Sequence, residues 1–457
     1  MVKKNIIERT IEAPAKALDL GVEGGQKIAQ TLPVGKYKQP LKRAKNYWYL
    51  LGPGLTTGAS DDDPSGIATY SQTGAQNGFG LLWTAAFTFP LMAVIQEVCA
   101  RIGLVTGRGL AANIRMHFGK RILYISTICL FAANTFNIGA DIGAMANAVQ
   151  LVVKLPTVLL VIVTTVLILM LQIFTPYARY AKYLKWLAMV LFAYILSAIL
   201  AHPHWSTVAH YALIPHIKLT KSNVILLCAV LGTTITPYLF FWQTSQEIEE
   251  EIADGKVTIA SRTGTDKQSL KRMRIDVWSG MALSNIVMFF IIAACASVLF
   301  THGITNINTA AQAAQALRPF AGNATYYLFA LGIVGMGLLA IPVLAGSSAY
   351  AISESLGKRQ GLNSKLKEGY SFYGVIIISM LVGLMINFLG INPIKALIYS
   401  AVANGIVAPI ILVLIMLIAR NKKTMGQWKN GRISGFIGWI LVVLMAVSGL
   451  AAIYSLF

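Results

Sequence analysis

Apolar runs of membrane-crossing length recur along this chain from Tyr47 onward, separated by short polar or charged stretches. A helix rises about 1.5 Å per residue and the hydrocarbon layer is about 30 Å thick, so each run of roughly 20 apolar residues predicts one span. Eleven are predicted, at approximately 47–76, 81–105, 122–151, 156–174, 184–201, 222–246, 275–300, 324–352, 372–389, 394–419 and 433–456. The first 45 residues are polar, so no cleavable signal segment is expected there. Residues 5–18 predict only a short interfacial helix with Ile7, Ile11 and Leu18 on one side, weakened by Pro14.

Two of the eleven runs are interrupted. The first carries Gly52, Gly54 and Gly58 and then Asp63-Pro64-Ser65-Gly66; the sixth carries Gly232-Thr233-Thr234-Ile235-Thr236-Pro237-Tyr238. Proline lacks a backbone donor and clashes with the preceding turn, so each run is expected to unwind into two half-helices. Unwound backbone at membrane depth is tolerated only where protein encloses it or water fills a cavity beside it. Interruptions five spans apart predict two inverted five-helix repeats with a binding region between them and an eleventh, accessory span. The expected divisions are a leading segment 1–45, repeats at 46–201 and 202–420, and a last span within 421–457.

Composition agrees with an all-α membrane protein. With 56% hydrophobic and 12% charged residues in 457, the chain holds more apolar material than a soluble core can hide. A formal charge of +20 would suit a nucleic-acid partner, but 33 of the 38 Lys and Arg fall in the leading segment and in alternate loops. That asymmetry predicts a multi-pass cell-membrane protein with a cytosolic amino terminus and an extracellular carboxy terminus, the bilayer as its partner and no nucleic acid. Cys99, Cys129, Cys228 and Cys295 all fall inside spans without close pairing, as core residues do.

The chemistry concentrates at the first interruption. Each carboxylate deep in a bilayer costs about 3 kcal/mol even on the lenient insertion scale, so Asp61, Asp62 and Asp63 in succession require water or a cation. Where the helix unwinds, backbone carbonyls join Asp63, and Thr233 and Thr236 flank the second break with further oxygens. Such an all-oxygen set suits a hard divalent ion. Neither break contains Cys, His or Met. For Asp61 and Asp62 two roles stay open: bonding the waters of a partly hydrated ion, or facing an outer vestibule. Asn404, ahead of Pro409, is a candidate amide ligand.

Other polar residues have plainer readings. Glu97 and Arg101, four apart, form a neutralising pair. Asn134, Asn137 and Asp141 face the bundle, either toward the cavity or in interhelical hydrogen bonds. The six histidines sit in loops or at span ends, and the spacings among His202, His204, His210 and His216 match no ligand template. Glu247, Glu249, Glu250 and Glu251 read as a solvated helix end. No His-Glu-x-x-His or Gly-x-Ser-x-Gly motif lies on a span, so no enzyme is expected, nor any cofactor apart from a transported ion.

From Gly52 to about Arg420 the chain resembles the Nramp divalent-metal transporters, which have the LeuT-type fold of the APC superfamily. The resemblance rests on Gly52-Pro53-Gly54, on Asp63-Pro64-Ser65-Gly66-Ile67-Ala68-Thr69 with Gly74-Ala75, and on Gln96 followed by Gly103-Leu104-Val105-Thr106-Gly107-Arg108-Gly109-Leu110-Ala111. It implies alternating access around the two broken helices, with a metal site at Asp63, Gly66, Thr233 and Thr236, to which the reading of the residues adds Asp62 and Asn404 as candidates. The departures are specific. The family motif Asp-Pro-Gly-Asn ends here in Gly66, its metal-binding methionine is Thr236, its Ala or Cys is Thr233, and the histidine beside the proline is Tyr238. The acidic residues of the family's proton route fall on Asn137 and Ala140. This pattern is similar to the Nramp-related magnesium transporters and implies a uniporter importing Mg²⁺, with Mn²⁺ also accepted. The alternatives are a proton-coupled Mn²⁺/Fe²⁺ importer and, from another class, a sodium-coupled organic-solute transporter, whose carboxylate substrate three aspartates would repel. The residues leave the oligomeric state open, a monomer included.

Overall fold

The computed structural model describes residues 51–456 except 176, 202, 217, 219, 308, 309, 363 and 365. The leading segment 1–45, with its expected interfacial helix, lies outside the described residues. The rest is helical: α1 Pro53–Asp61, α2 Pro64–Asn77, α3 Trp83–Thr106, α4 Leu110–Gln150, α5 Thr157–Phe174, α6 Tyr177–Leu187, α7 Phe192–Leu200, α8 Trp205–Leu213, α9 Lys221–Thr234, α10 Pro237–Ala253, α11 Lys267–Val298, α12 Ala310–Leu356, α13 Tyr370–Ile386, α14 Pro393–Arg420 and α15 Arg432–Leu456. Nine helical stretches among the described residues are long and apolar enough to cross a membrane, α9 with α10 counting as one. The first span, cut into α1 and α2, and the 17-residue α13 supply the other two of the eleven expected.

Polarity is inverted relative to a soluble protein, as lipid requires. Phe436, Val447 and Leu450 on α15 and Val158 and Val163 on α5 point outward, whereas Asp61, Asp62, Asp63, Asn137 and Asp141 are buried. Helix α4 begins at Leu110, but Gly119, at φ 76°, interrupts it, so its membrane portion begins close to the expected residue 122. Only glycine takes that left-handed backbone without strain.

Both interruptions form where expected, and both have proline at the first position of the second half. In the first span α1 ends at Asp61, Asp62 and Asp63 carry non-helical backbone, and Pro64 opens α2. In the sixth, Thr234 ends α9, Ile235 and Thr236 bridge the gap, and Pro237 opens α10. A proline here loses nothing, since the first N–H groups of a helix have no intrahelical acceptor.

Small residues let these half-helices lie backbone to backbone on their neighbours. A methyl group added at Gly58 would stand 2.2 Å from the Gly280 carbonyl carbon of α11, and one at Gly232 would stand 2.1 Å from the Ala401 oxygen of α14. Close van der Waals packing of this kind replaces the hydrophobic effect, which cannot drive helices together in lipid. Asp276 on α11 fixes the entry to α1: its carboxylate accepts from the backbone N–H of Gly52 (2.7 Å), Gly54 (2.6 Å) and Leu55 (3.1 Å). A negative charge there also suits the positive end of the helix dipole.

The acidic run after the sixth span departs from expectation. Glu247, Glu249 and Glu251 are buried rather than solvated. Glu249 accepts from the Tyr350 hydroxyl (2.7 Å) and the Leu362 N–H (3.0 Å), and Glu247 accepts from Gln243 (2.8 Å). Spacing within one helix did not reveal that α12 and the turn beyond it fold back over α10.

Candidate functional site

The two breaks meet in the interior. Asp63 caps α2, its Oδ1 accepting from the Gly66 N–H at 2.6 Å and the Ser65 hydroxyl at 2.8 Å. Its Oδ2 accepts from the Asn137 side-chain amide of α4 at 2.7 Å. The Asn137 carbonyl in turn accepts from the Ser400 hydroxyl of α14, also at 2.7 Å. Charge-assisted hydrogen bonds contribute about 1.5–3 kcal/mol each, so three of them offset much of the cost of burying this carboxylate and hold it in one orientation.

Gly66 leaves the space that Asp63 faces. A Cβ at this position would lie 3.2 Å from the Asp61 backbone oxygen, 3.2 Å from the Thr233 hydroxyl and 3.4 Å from Asp63 Oδ1. Three oxygens from both broken spans therefore converge on one missing side chain. The Ser65 hydroxyl lies 3.5 Å from that of Thr233, joining the two breaks directly. Thr236 caps α10 through its backbone alone; its buried hydroxyl has no hydrogen-bond partner within the protein.

Asn404 is fully buried on α14, one turn beyond Ser400, and neither atom of its amide is bonded within the protein. Residues four apart share a helix face, so Asn404 lies on the face that Ser400 turns toward Asn137 and Asp63. A buried amide without partners is costly, and Thr236 and Asn404 are among the buried polar groups left unbonded within the protein.

The neighbouring carboxylates diverge. Asp61 accepts from the Ser284 hydroxyl of α11 at 2.8 Å, away from Asp63. Asp62, at the end of α1, is buried with both oxygens unbonded, as is Asp141 on α4. Among the described residues no three His, Cys, Asp or Glu side chains come together as a metal-binding group. The structure thus gathers Asp63, Gly66 and Thr233 with the Asp61 carbonyl, and leaves the Asp62 carboxylate outside that convergence.

Two tyrosines tie the broken spans together. The Tyr238 hydroxyl donates to the Ser60 carbonyl at 2.7 Å, and those of Tyr70 and Thr234 are 3.1 Å apart. Asn134, by contrast, is interhelical: its amide donates to Leu344, Ser347 and Ser348 on α12. Ser65 and Ser400 are the site residues that sequence reasoning missed. Ser65 lies inside the quoted motif, and Ser400 precedes Asn404 by one turn.

The remaining sequence candidates settle as structural groups. Glu97 bonds Arg101 at 2.8 Å as expected. His117 bridges Asn113 and Thr424. His210 and His216 approach with ring centroids 5.8 Å apart, while His202 lies outside the described residues.

A helical bundle with two unwound spans crossing in its interior, and polar groups buried around the crossing, defines a membrane transporter of the LeuT-type fold with two inverted five-helix repeats. Solved structures share the architecture. A manganese transporter from Eremococcus coleocola superposes with a TM-score of 0.66 at 22% identity, covering 89% of this chain and 86% of that one. A nucleobase-cation-symport-1 family transporter in a closed conformation superposes at 0.52 with 14% identity, covering 88% and 90%. The family described as natural resistance-associated macrophage protein-like matches residues 54–455, and the chain belongs to this Nramp family. It is also 27% identical over 413 residues to a divalent metal cation transporter of Klebsiella pneumoniae, covering 89% of this chain and 94% of that protein.

Proposed function

We propose that this protein carries hydrated Mg²⁺ into the cell as a uniporter, by alternating access around the crossing of the two broken spans, with Mn²⁺ as a second substrate. The observation that carries this reading is the convergence at Gly66, where the three atoms nearest to an added Cβ are all oxygens, one of them from the Asp63 carboxylate. Oxygen ligands suit hard cations, whereas a thioether or thiolate favours softer ones. Mg²⁺ gives up its waters reluctantly, so oxygen groups able to bond water, with no side chain at residue 66 to compete for the place, suit an ion that keeps part of its shell. Asp63 would supply the charge, Thr233 and Thr236 hydroxyl oxygens, and Asn404 a carbonyl oxygen. Asp62, outside the convergence, would act on the approach path or through water.

The divalent-metal class comes from the relatives, and the choice of metal from the residues in which this chain departs from the family pattern. Uniport is supported by two neutral groups at the site, in a region where Asp61, Asp62 and Asp141 are also buried. The partner of Asp63 on α4 is an amide, not a second carboxyl, and the residue after Pro237 is a tyrosine whose hydroxyl is engaged with Ser60. Energetically no proton is needed: a potential of 100 mV, negative inside, drives a divalent ion inward by about 4.6 kcal/mol. The excess of Lys and Arg in alternate loops supports a cytosolic amino terminus and an outer carboxy terminus. Proteoliposomes with a lumenal pH dye are expected to take up Mg²⁺ with no matching acidification. Acidification in step with Mg²⁺ entry would replace this reading with the alternative, a proton-coupled Mn²⁺/Fe²⁺ importer.

A further inference from the structure

We propose a second site, a phosphate-binding pocket for the headgroup of an anionic lipid, between the end of α3, the start of α11 and the connection from α14 to α15. The pocket is a cavity of about 530 Å³ whose wall carries Arg101, Lys267, Lys271, Arg274 and Lys429 against one carboxylate, Glu97. Glu97 cannot balance them. Its Oε1 accepts from Arg101 at 2.8 Å and from Arg274 at 2.9 Å, and its Oε2 accepts from the Trp278 indole at 2.9 Å. Both oxygens are therefore occupied by the time two arginines are served, and among the described residues no second acid lies on the wall to meet the three lysines.

The guanidinium of Arg101 is held in place by Glu97 and by the Asn430 side chain (3.3 Å) with its side chain only 10% exposed. A preset, poorly solvated guanidinium beside exposed lysines is an arrangement suited to phosphate. The cavity is not purely polar: Leu270, Met273 and Trp428 also line it, so a ligand with an apolar part fits better than a bare ion. Its position where α3 and α11 reach the basic end of the bundle is where headgroups lie and where basic clusters between spans recruit anionic lipids. The transport site is remote in sequence and composition, and the inference does not depend on which metal is carried.

The test uses the full chain purified in detergent, offered equimolar phosphatidylglycerol and phosphatidylcholine, and examined by native mass spectrometry. The wild type is expected to retain phosphatidylglycerol in preference. K271Q with K429Q, both exposed positions, is expected to reduce that retention at least about tenfold, while K358Q, an exposed lysine outside the cavity, leaves it unchanged. Equal retention by the wild type and K271Q/K429Q overturns the proposal. A second arm titrates inorganic phosphate without lipid: saturable phosphate binding combined with no preference for phosphatidylglycerol overturns the lipid assignment in favour of a soluble anion.

Discussion

Asp63→Ala is expected to lower Mg²⁺ uptake at least about 100-fold, the equivalent of roughly 3 kcal/mol of lost ion stabilisation. A carboxylate oxygen of Asp63 is among the oxygens that converge at Gly66, and in the proposed site its replacement removes that charge from beside the dication. Loss of the fold would give the same result trivially, so the size of the structural effect matters. Removing an N-cap side chain costs about 1 kcal/mol, and Asn137 keeps its bond from Ser400. The variant should remain monodisperse and close to wild type in thermal stability. Asp63→Asn, which keeps the shape and removes the charge, should be almost as inactive. Wild-type rates in either variant, reconstituted and measured with a lumenal Mg²⁺ dye, would remove Asp63 from the site.

The second large effect concerns selectivity. Gly66→Asn with Thr236→Met is expected to reverse the preference, cutting Mg²⁺ uptake at least about tenfold while Mn²⁺ uptake persists, because a thioether ligates Mn²⁺ far better than Mg²⁺. A side chain at residue 66 would enter the space bounded by the Asp61 carbonyl, the Thr233 hydroxyl and the Asp63 carboxylate, all within 3.4 Å of its Cβ. It would displace water that Mg²⁺ retains. The two single variants separate the contributions: Gly66→Asn should act mainly by excluding the hydrated ion, and Thr236→Met by rewarding the softer one. Unaltered Mg²⁺ rates in the double variant would mean that residues 66 and 236 do not contact the ion.

The spans were legible because lipid imposes a length: runs of about 20 apolar residues end where the hydrocarbon layer does. The breaks were legible because Pro64 and Pro237 stand in spans that no ordinary lipid-facing helix would interrupt. What the sequence could not supply was partnership across distance. Asn137 is 74 residues from Asp63 and Ser400 is 263 from Asn137, and only the packing of α4 and α14 against the first break makes them one chain of hydrogen bonds. Asp276 reads as one acid near the start of a span until three N–H groups of α1 are seen around it. Glu249 was misread for the same reason, since its partners come from α12 and beyond. Asp61 and Asp62 are adjacent to Asp63 in sequence, yet unwinding turns Asp61 to Ser284 and leaves both Asp62 oxygens unbonded.

Mn²⁺ uptake into proteoliposomes, measured while external Mg²⁺ is raised at fixed membrane potential, tests the hydrated hard-ion site most directly. Mg²⁺ at millimolar concentration is expected to suppress Mn²⁺ entry and to appear in the lumen itself. Mn²⁺ uptake that ignores Mg²⁺, with no Mg²⁺ reaching the lumen, would contradict it.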